Sequence, residues 1–127
     1  MAYKGKPQSA IHNFTINQGD DFKFQIQVCT DDNTPIDISD YEFVCRVRET
    51  ADEEQIILEA DYHIVQPELG IVEFHFKDED TSKIDTDGLD YSELNQYTYD
   101  VIQKYRQGNI TRLLNGYLFV SPGVSWH

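Results

Sequence analysis

Cysteine is scarce: the 127-residue chain has two, Cys29 and Cys45. Two thiols are too few for a disulfide framework or a four-ligand zinc site, so the fold is expected to rest on an apolar core. A single bridge between neighbouring strands is geometrically open, but the pair reads first as two reduced, small apolar side chains. Long apolar runs are missing as well, and no stretch approaches the roughly 20 residues of a membrane-spanning helix. The opening residues Met1-Ala2-Tyr3-Lys4-Gly5-Lys6-Pro7-Gln8 are basic without an apolar segment behind them, unlike an export signal. The expectation is a product that stays, or is assembled, in the cytoplasm. Basic residues are few, ten Lys and Arg against 23 Asp and Glu, for a formal net charge of −13. Phosphate backbones and anionic lipid repel such a chain, which argues against nucleic-acid and membrane partners.

Chemical motifs are equally thin. There is no Gly-x-Ser-x-Gly elbow, no glycine-rich phosphate loop, and no pair of acids marked out for glycoside hydrolysis. The four histidines, His12, His63, His75 and His127, are scattered. His63 and His75 become neighbours only if their strands form a hairpin about Gly70, and such a pair is more often a surface coincidence than a metal site. Asp85-Thr86-Asp87-Gly88-Leu89-Asp90 clusters carboxylates as calcium requires, but its glycine comes too early for an EF-hand and the closing glutamate is absent. A solvated loop is the reading for this segment. Neither catalysis nor a cofactor is expected.

What is present is strand pattern. The chain is 39% hydrophobic and 13% aromatic, with eight Tyr, seven Phe and one Trp, enough apolar surface for one well-packed domain. Phe14 and Ile16, then Phe22, Phe24, Ile26 and Val28, alternate with polar residues, and Gln18-Gly19-Asp20-Asp21 breaks the two runs. Tyr41, Phe43, Cys45 and Val47 form one face of a third strand, with Glu42, Val44, Arg46 and Arg48 on the other. Positions 56–65 alternate imperfectly, as one strand with a bulge. Pro67-Glu68-Leu69-Gly70 is a turn before Val72, Phe74 and Phe76. Thr81 to Ile84 reads as a helical turn capped by Asp80 or Thr81. Tyr97, Tyr99, Val101 and Tyr105 resume the alternation, Gln107-Gly108-Asn109 closes a hairpin, and positions 110–120 are the last long strand. About seven strands without a useful amphipathic helix describe an immunoglobulin-like β-sandwich, with a small β-barrel as the alternative. In the sandwich, Tyr97 or Tyr91 takes the place of the corner tyrosine.

The charge is unevenly placed. Residues 49–95 hold 15 acidic and two basic residues, whereas the flanks hold eight of each. Five of the ten bases, Arg46, Arg48, Lys104, Arg106 and Arg112, fall on the third, sixth and seventh predicted strands, which neighbour one another in an immunoglobulin-like sheet. Arg46, Arg48, Lys104 and Arg106 share the parity opposite the apolar positions and should project outward together. Ordinary solubility accounts for such a face; the sharper reading is an interface with an acidic neighbour, such as residues 49–95 of another copy.

The order of these motifs resembles a known group. Phe14-Thr15-Ile16-Asn17-Gln18-Gly19-Asp20-Asp21-Phe22-Lys23-Phe24 is followed by Pro35-Ile36-Asp37-Ile38-Ser39-Asp40-Tyr41 and the arginine-bearing Val44-Cys45-Arg46-Val47-Arg48. Gly70-Ile71-Val72, Thr81, Tyr99-Asp100-Val101 and Leu113-Leu114-Asn115-Gly116-Tyr117-Leu118-Phe119-Val120-Ser121-Pro122-Gly123-Val124 complete the series. In this the chain resembles small β-sandwich structural proteins of tailed bacteriophages, including the N-terminal domains of upper baseplate proteins and related tail, neck or fibre-attachment modules. The resemblance implies a non-enzymatic virion component, assembled in the host cytoplasm, whose partners are other virion proteins and copies of itself. The expected organisation is a flexible arm over residues 1–11, a sandwich over 12–120 and a tail over 121–127. That tail carries Trp126, a residue type favoured as an interface anchor and equally able to pack on its own sheet. The alternative function is a carbohydrate- or ligand-binding sandwich, in which outward-facing tyrosines would form the platform.

Overall fold

Alternating sequence becomes strand where one side chain in two can be buried, and this chain does so on two sheets. The computed structural model describes residues 10–84 and 94–123. Its strands are β1 (Ala10–Ile11), β2 (Phe14–Asn17), β3 (Phe22–Gln27), β4 (Tyr41–Arg48), β5 (Leu58–Glu59), β6 (Asp61–Gln66), β7 (Ile71–Phe76), β8 (Asn95–Tyr105) and β9 (Ile110–Ser121). A 3-10 turn spans Pro67–Leu69, and one short helical turn, α1, spans Asp78–Thr81. The larger sheet runs β1-β9-β8-β4-β5, with β2 also on β9, and the smaller runs β3-β7-β6. Strands β4, β8 and β9 lie side by side, as the immunoglobulin-like reading requires. β1 and β2 pair parallel with β9, and every other pairing is antiparallel. The molecule is an all-β, immunoglobulin-like sandwich.

The core forms where the inner faces of the two sheets meet. Phe43, Cys45 and Val47 of β4, Tyr99 and Val101 of β8, and Leu118 and Val120 of β9 are buried with Val72, Phe74 and Phe76 of β7. Full burial of each large apolar side chain contributes about 1.5–3 kcal/mol before chain entropy is counted. Phe43 and Phe74 meet edge to face with ring centroids 6.2 Å apart, and Phe14 of β2 reaches Phe24 of β3 at 4.6 Å. Tyr97 and Tyr99 face inward, as their parity predicts.

Several sequence expectations change in detail. The predicted strand over 56–65 is two strands in different sheets, β5 on β4 and β6 on β7. Its imperfect alternation is the mark of a chain crossing between sheets at Ala60. A register shift between Ile64 and Gln66 supplies the expected bulge. Together with the two-residue β1, this raises the count from seven strands to nine. The helical turn begins earlier than predicted, at Asp78, and Lys77 takes the N-cap position without a side-chain bond. Thr81 instead donates to the Asp20 carbonyl at 2.8 Å from full burial. The sheet also extends past both expected domain limits: Ala10 and Ile11 are strand, and Ser121 and Pro122 are buried. Tyr91 lies outside the described residues.

Two glycines matter for closure. Gly70 ends the 3-10 turn at φ 71°, and a Cβ there would lie 2.6 Å from the Val28 carbonyl oxygen and 2.7 Å from that of Ile36. Gly116 sits where the chain passes between β1 and β2, and a Cβ would meet the His12 carbonyl oxygen at 2.1 Å. The same His12 carbonyl accepts a hydrogen bond from the Tyr99 hydroxyl at 2.6 Å, and His12 N–H donates to Asn115. Gly116 therefore permits the close parallel pairing that joins the N-terminal strands to β9.

Candidate functional site

The outer face of the larger sheet is built by cross-strand register. On adjacent strands Glu59, Arg46, Asp100 and Asn115 stand opposite one another in a row, from β5 through β4 and β8 to β9. Arg48 is opposite Thr98, and Glu42 is opposite Lys104. A register shift between Val101 and Ile102 then brings Arg112 opposite Ile102. That bulge turns Arg112 toward the same face, where parity counted along one strand alone would not place it.

Arg46, Arg48 and Arg112 line a shallow cavity of about 180 Å³ together with Asp100, Thr98 and Asn115. Arg46 and Arg48 are half-buried, and the Nε of each is fully shielded without a hydrogen-bond acceptor. Arg46 Nε lies 3.4 Å from Glu59 Oε1, close enough for attraction between the charges but without hydrogen-bond geometry. The two side chains of that pair are 40% and 50% exposed, so solvent screens it and it contributes about 0–1 kcal/mol. Neither Arg48 nor Arg112 has an ion pair among the described residues. Three guanidiniums thus line the cavity with one carboxylate, Asp100, while Glu59 lies against Arg46 at its edge.

The remaining bases lie elsewhere. Lys104 is exposed farther along β8, and Arg106 lies past the strand end, with Arg106 Nη2 3.5 Å from Asp40 Oδ1. The structure thus divides the predicted five-base face: Arg46, Arg48 and Arg112 converge, whereas Lys104 and Arg106 do not line their cavity. Trp126 and the segment Asp85 to Asp90 fall outside the described residues.

Three guanidiniums give the cavity donors for an anion. Arginine donates from a planar fork and does not give up its proton near neutrality. The lining Tyr99 already donates to His12, and burial pushes its ionisation upward, with the nearby Cys45 adding to the effect. Burial likewise raises the Cys45 thiol, helped by the carboxylates of Asp100 and Glu59. Cys29 and Cys45 are both free thiols.

Other sequence candidates resolve differently. His63 is opposite Glu73 and His75 opposite Asp61, so the histidines do not face each other across the hairpin. His75 Nε2 instead lies 3.0 Å from Asp21 Oδ1, which also accepts the Asp78 backbone N–H at 2.9 Å. These two contacts lower the Asp21 pKa below its ordinary value. Among the described residues no cluster of His, Cys, Asp and Glu is arranged to hold a metal.

A second opening, about 810 Å³, lies between the end of β3 and the start of β9, with Ile26, Val28, Ile36 and Leu113 in its walls and no aromatic ring. It provides no stacking platform for a sugar.

Sequence reading missed one structural residue. Gln18, assigned only to a turn, is 6% exposed. Its Nε2 donates to the Ile84 carbonyl at 2.7 Å, while its Oε1 accepts the Gly123 N–H at 2.9 Å. A polar residue inside a turn motif carries no signal of such a role, because its partners lie 66 and 105 positions away.

No protein-family model and no curated protein matches the chain. Among solved structures, murine CRIg aligns at 14% sequence identity and a TM-score of 0.37, over 88% of this chain and 92% of CRIg. The fold assignment above stands on strand order and register.

Proposed function

We propose that this protein is a non-enzymatic bacteriophage virion structural protein, an oligomeric adaptor of the tail, baseplate or neck. It works through protein contacts, with other virion proteins and copies of itself as partners. The observation that carries this reading is the convergence of Arg46, Arg48 and Arg112 on an outer sheet face of a strongly acidic molecule. A face of this kind selects acidic protein partners and sets their register. The order of sequence motifs from Phe14 to Val124 supplies the virion context, and a two-layer sandwich supplies the stiffness such a part needs. The carbohydrate-binding alternative rests on the exposed Tyr62 and on Tyr117 beside Phe119, whereas Tyr97 and Tyr99 are buried and the larger opening has no aromatic wall.

Co-expression with the products of neighbouring genes tests the proposal. The expected result is co-purification with tail, neck or baseplate proteins at fixed stoichiometry, weakened about tenfold or more by Arg46→Glu with Arg48→Glu, a loss of about 1.4 kcal/mol. A strictly monomeric chain that captures none of these proteins and binds glycans on an array would overturn it.

A further inference from the structure

We infer that the Arg46–Arg48–Arg112 cavity is a carboxylate-binding site, and that its occupant is the acidic β4–β5 hairpin of a second copy of this chain. This deepens the adaptor reading and rests on it. The cavity's size limits the ligand first. Its 180 Å³ corresponds to about six waters at about 30 Å³ each, below the roughly 300 Å³ at which small-molecule pockets begin. One acidic side chain fits, whereas a nucleotide or an oligosaccharide does not.

Unmet hydrogen bonding limits it next. Arg48 and Arg112 line the cavity with no ion pair among the described residues, and the outer nitrogens of a guanidinium remain donors where its Nε is shielded. Carboxylate is the acceptor that guanidinium geometry matches best, often through two parallel bonds. Asp100 in the lining offsets one positive charge, and Glu59 on the rim attracts Arg46. Arg48 and Arg112 remain for an incoming acid.

The identity of the occupant comes from the rim. The hairpin between β4 and β5 carries Glu49, Asp52, Glu53 and Glu54, all exposed, and its Ala51 forms part of the cavity wall. None of these acids forms an ion pair with Arg48 or Arg112 of its own chain. Asp52 is engaged locally by the Thr50 hydroxyl at 2.6 Å, leaving Glu53 and Glu54 to reach outward. Receptor and ligand therefore lie side by side on one surface. A two-fold axis through that surface puts each hairpin on the other copy's arginines, the self-complementary arrangement of a closed dimer. The overall charge opposes the approach of two copies, but at about 0.15 M salt the Debye length is about 8 Å, so distant repulsion is screened while contact pairs persist.

Sedimentation equilibrium of the full chain at about 0.15 M salt tests the inference by charge exchange. Wild type is expected to dimerise. Arg48→Glu with Arg112→Glu, and separately Glu53→Arg with Glu54→Arg, are each expected to weaken the dimer at least tenfold. An equimolar mixture of the two double variants is expected to recover a heterodimer, because one site-to-hairpin contact then pairs with reversed sign and the other is the native pairing. Recovery also shows that both variants are folded. A wild type monomeric throughout, unchanged dimerisation in either variant, or failure of the mixture to recover would each overturn the inference. A monomeric wild type that still co-purifies with virion proteins removes the self-pairing and leaves the adaptor reading standing. Charge-exchange dimerisation without virion partners supports the self-pairing and removes the adaptor reading.

Discussion

Replacing Gln18 by leucine tests how the end of the sandwich is held. Gln18 bridges elements that are remote in sequence: its amide donates to Ile84 beyond α1, and its oxygen accepts from Gly123 just past β9. Leucine of similar size removes both bonds. Losing the partner of a buried polar group costs about 1–3 kcal/mol. Ile84 is 3% exposed and belongs at the upper end of that range, while the half-buried Gly123 can regain a bond from water and belongs at the lower end. The apolar side chain recovers roughly 1 kcal/mol through burial. The expected net loss is about 3 kcal/mol. Unfolding entropy for a chain of this length is about 0.25 kcal/mol per kelvin, so Tm should fall by about 12 °C. Calorimetry or circular dichroism melting measures this directly, and Gln18→Glu, which keeps the acceptor for Gly123 but loses the donor to Ile84, should also be destabilised. A Gln18→Leu protein melting within about 2 °C of wild type would refute the assigned staple.

Asp21 gives a signed pH dependence. Its folded pKa lies below the ordinary 3.8, chiefly through His75 and then the Asp78 backbone, so its stabilisation is complete above that value and is lost as pH falls through the folded pKa. Asp21→Asn should therefore lower Tm at about pH 7 and lower it progressively less as the pH falls through the folded pKa; a gap that stays constant on acidification would contradict the linkage. The thiols should also separate. Buried Cys45, its ionisation suppressed, should resist a thiol reagent in the native protein, while half-buried Cys29 reacts first. Mass spectrometry after brief labelling would contradict this if both thiols were modified equally fast.

Periodicity carried much of the fold because each strand's alternation encodes which of its faces is buried. Phe43, Cys45 and Val47, or Val72, Phe74 and Phe76, announce a core face locally, and the structure buries all six. The segment over 56–65 was less legible. A chain that changes sheets at Ala60 changes what its side chains face, so a strand crossing resembles a bulged strand. The site was legible in part. Arg46 and Arg48 project outward by simple parity, but the convergence of Arg112 with them depends on the bulge between Val101 and Ile102.

By itself the sequence determined the class of fold, the placement of charge and the outward face of β4, because these follow from residue type and a period of two. Tertiary structure alone decided which bases share a cavity, which polar side chain staples the end of the sandwich, and where the N-terminal strands attach. Those are relations between residues far apart in the chain. They depend on register, bulges and close backbone approach, such as that at Gly116, and no local pattern of polar and apolar residues specifies them.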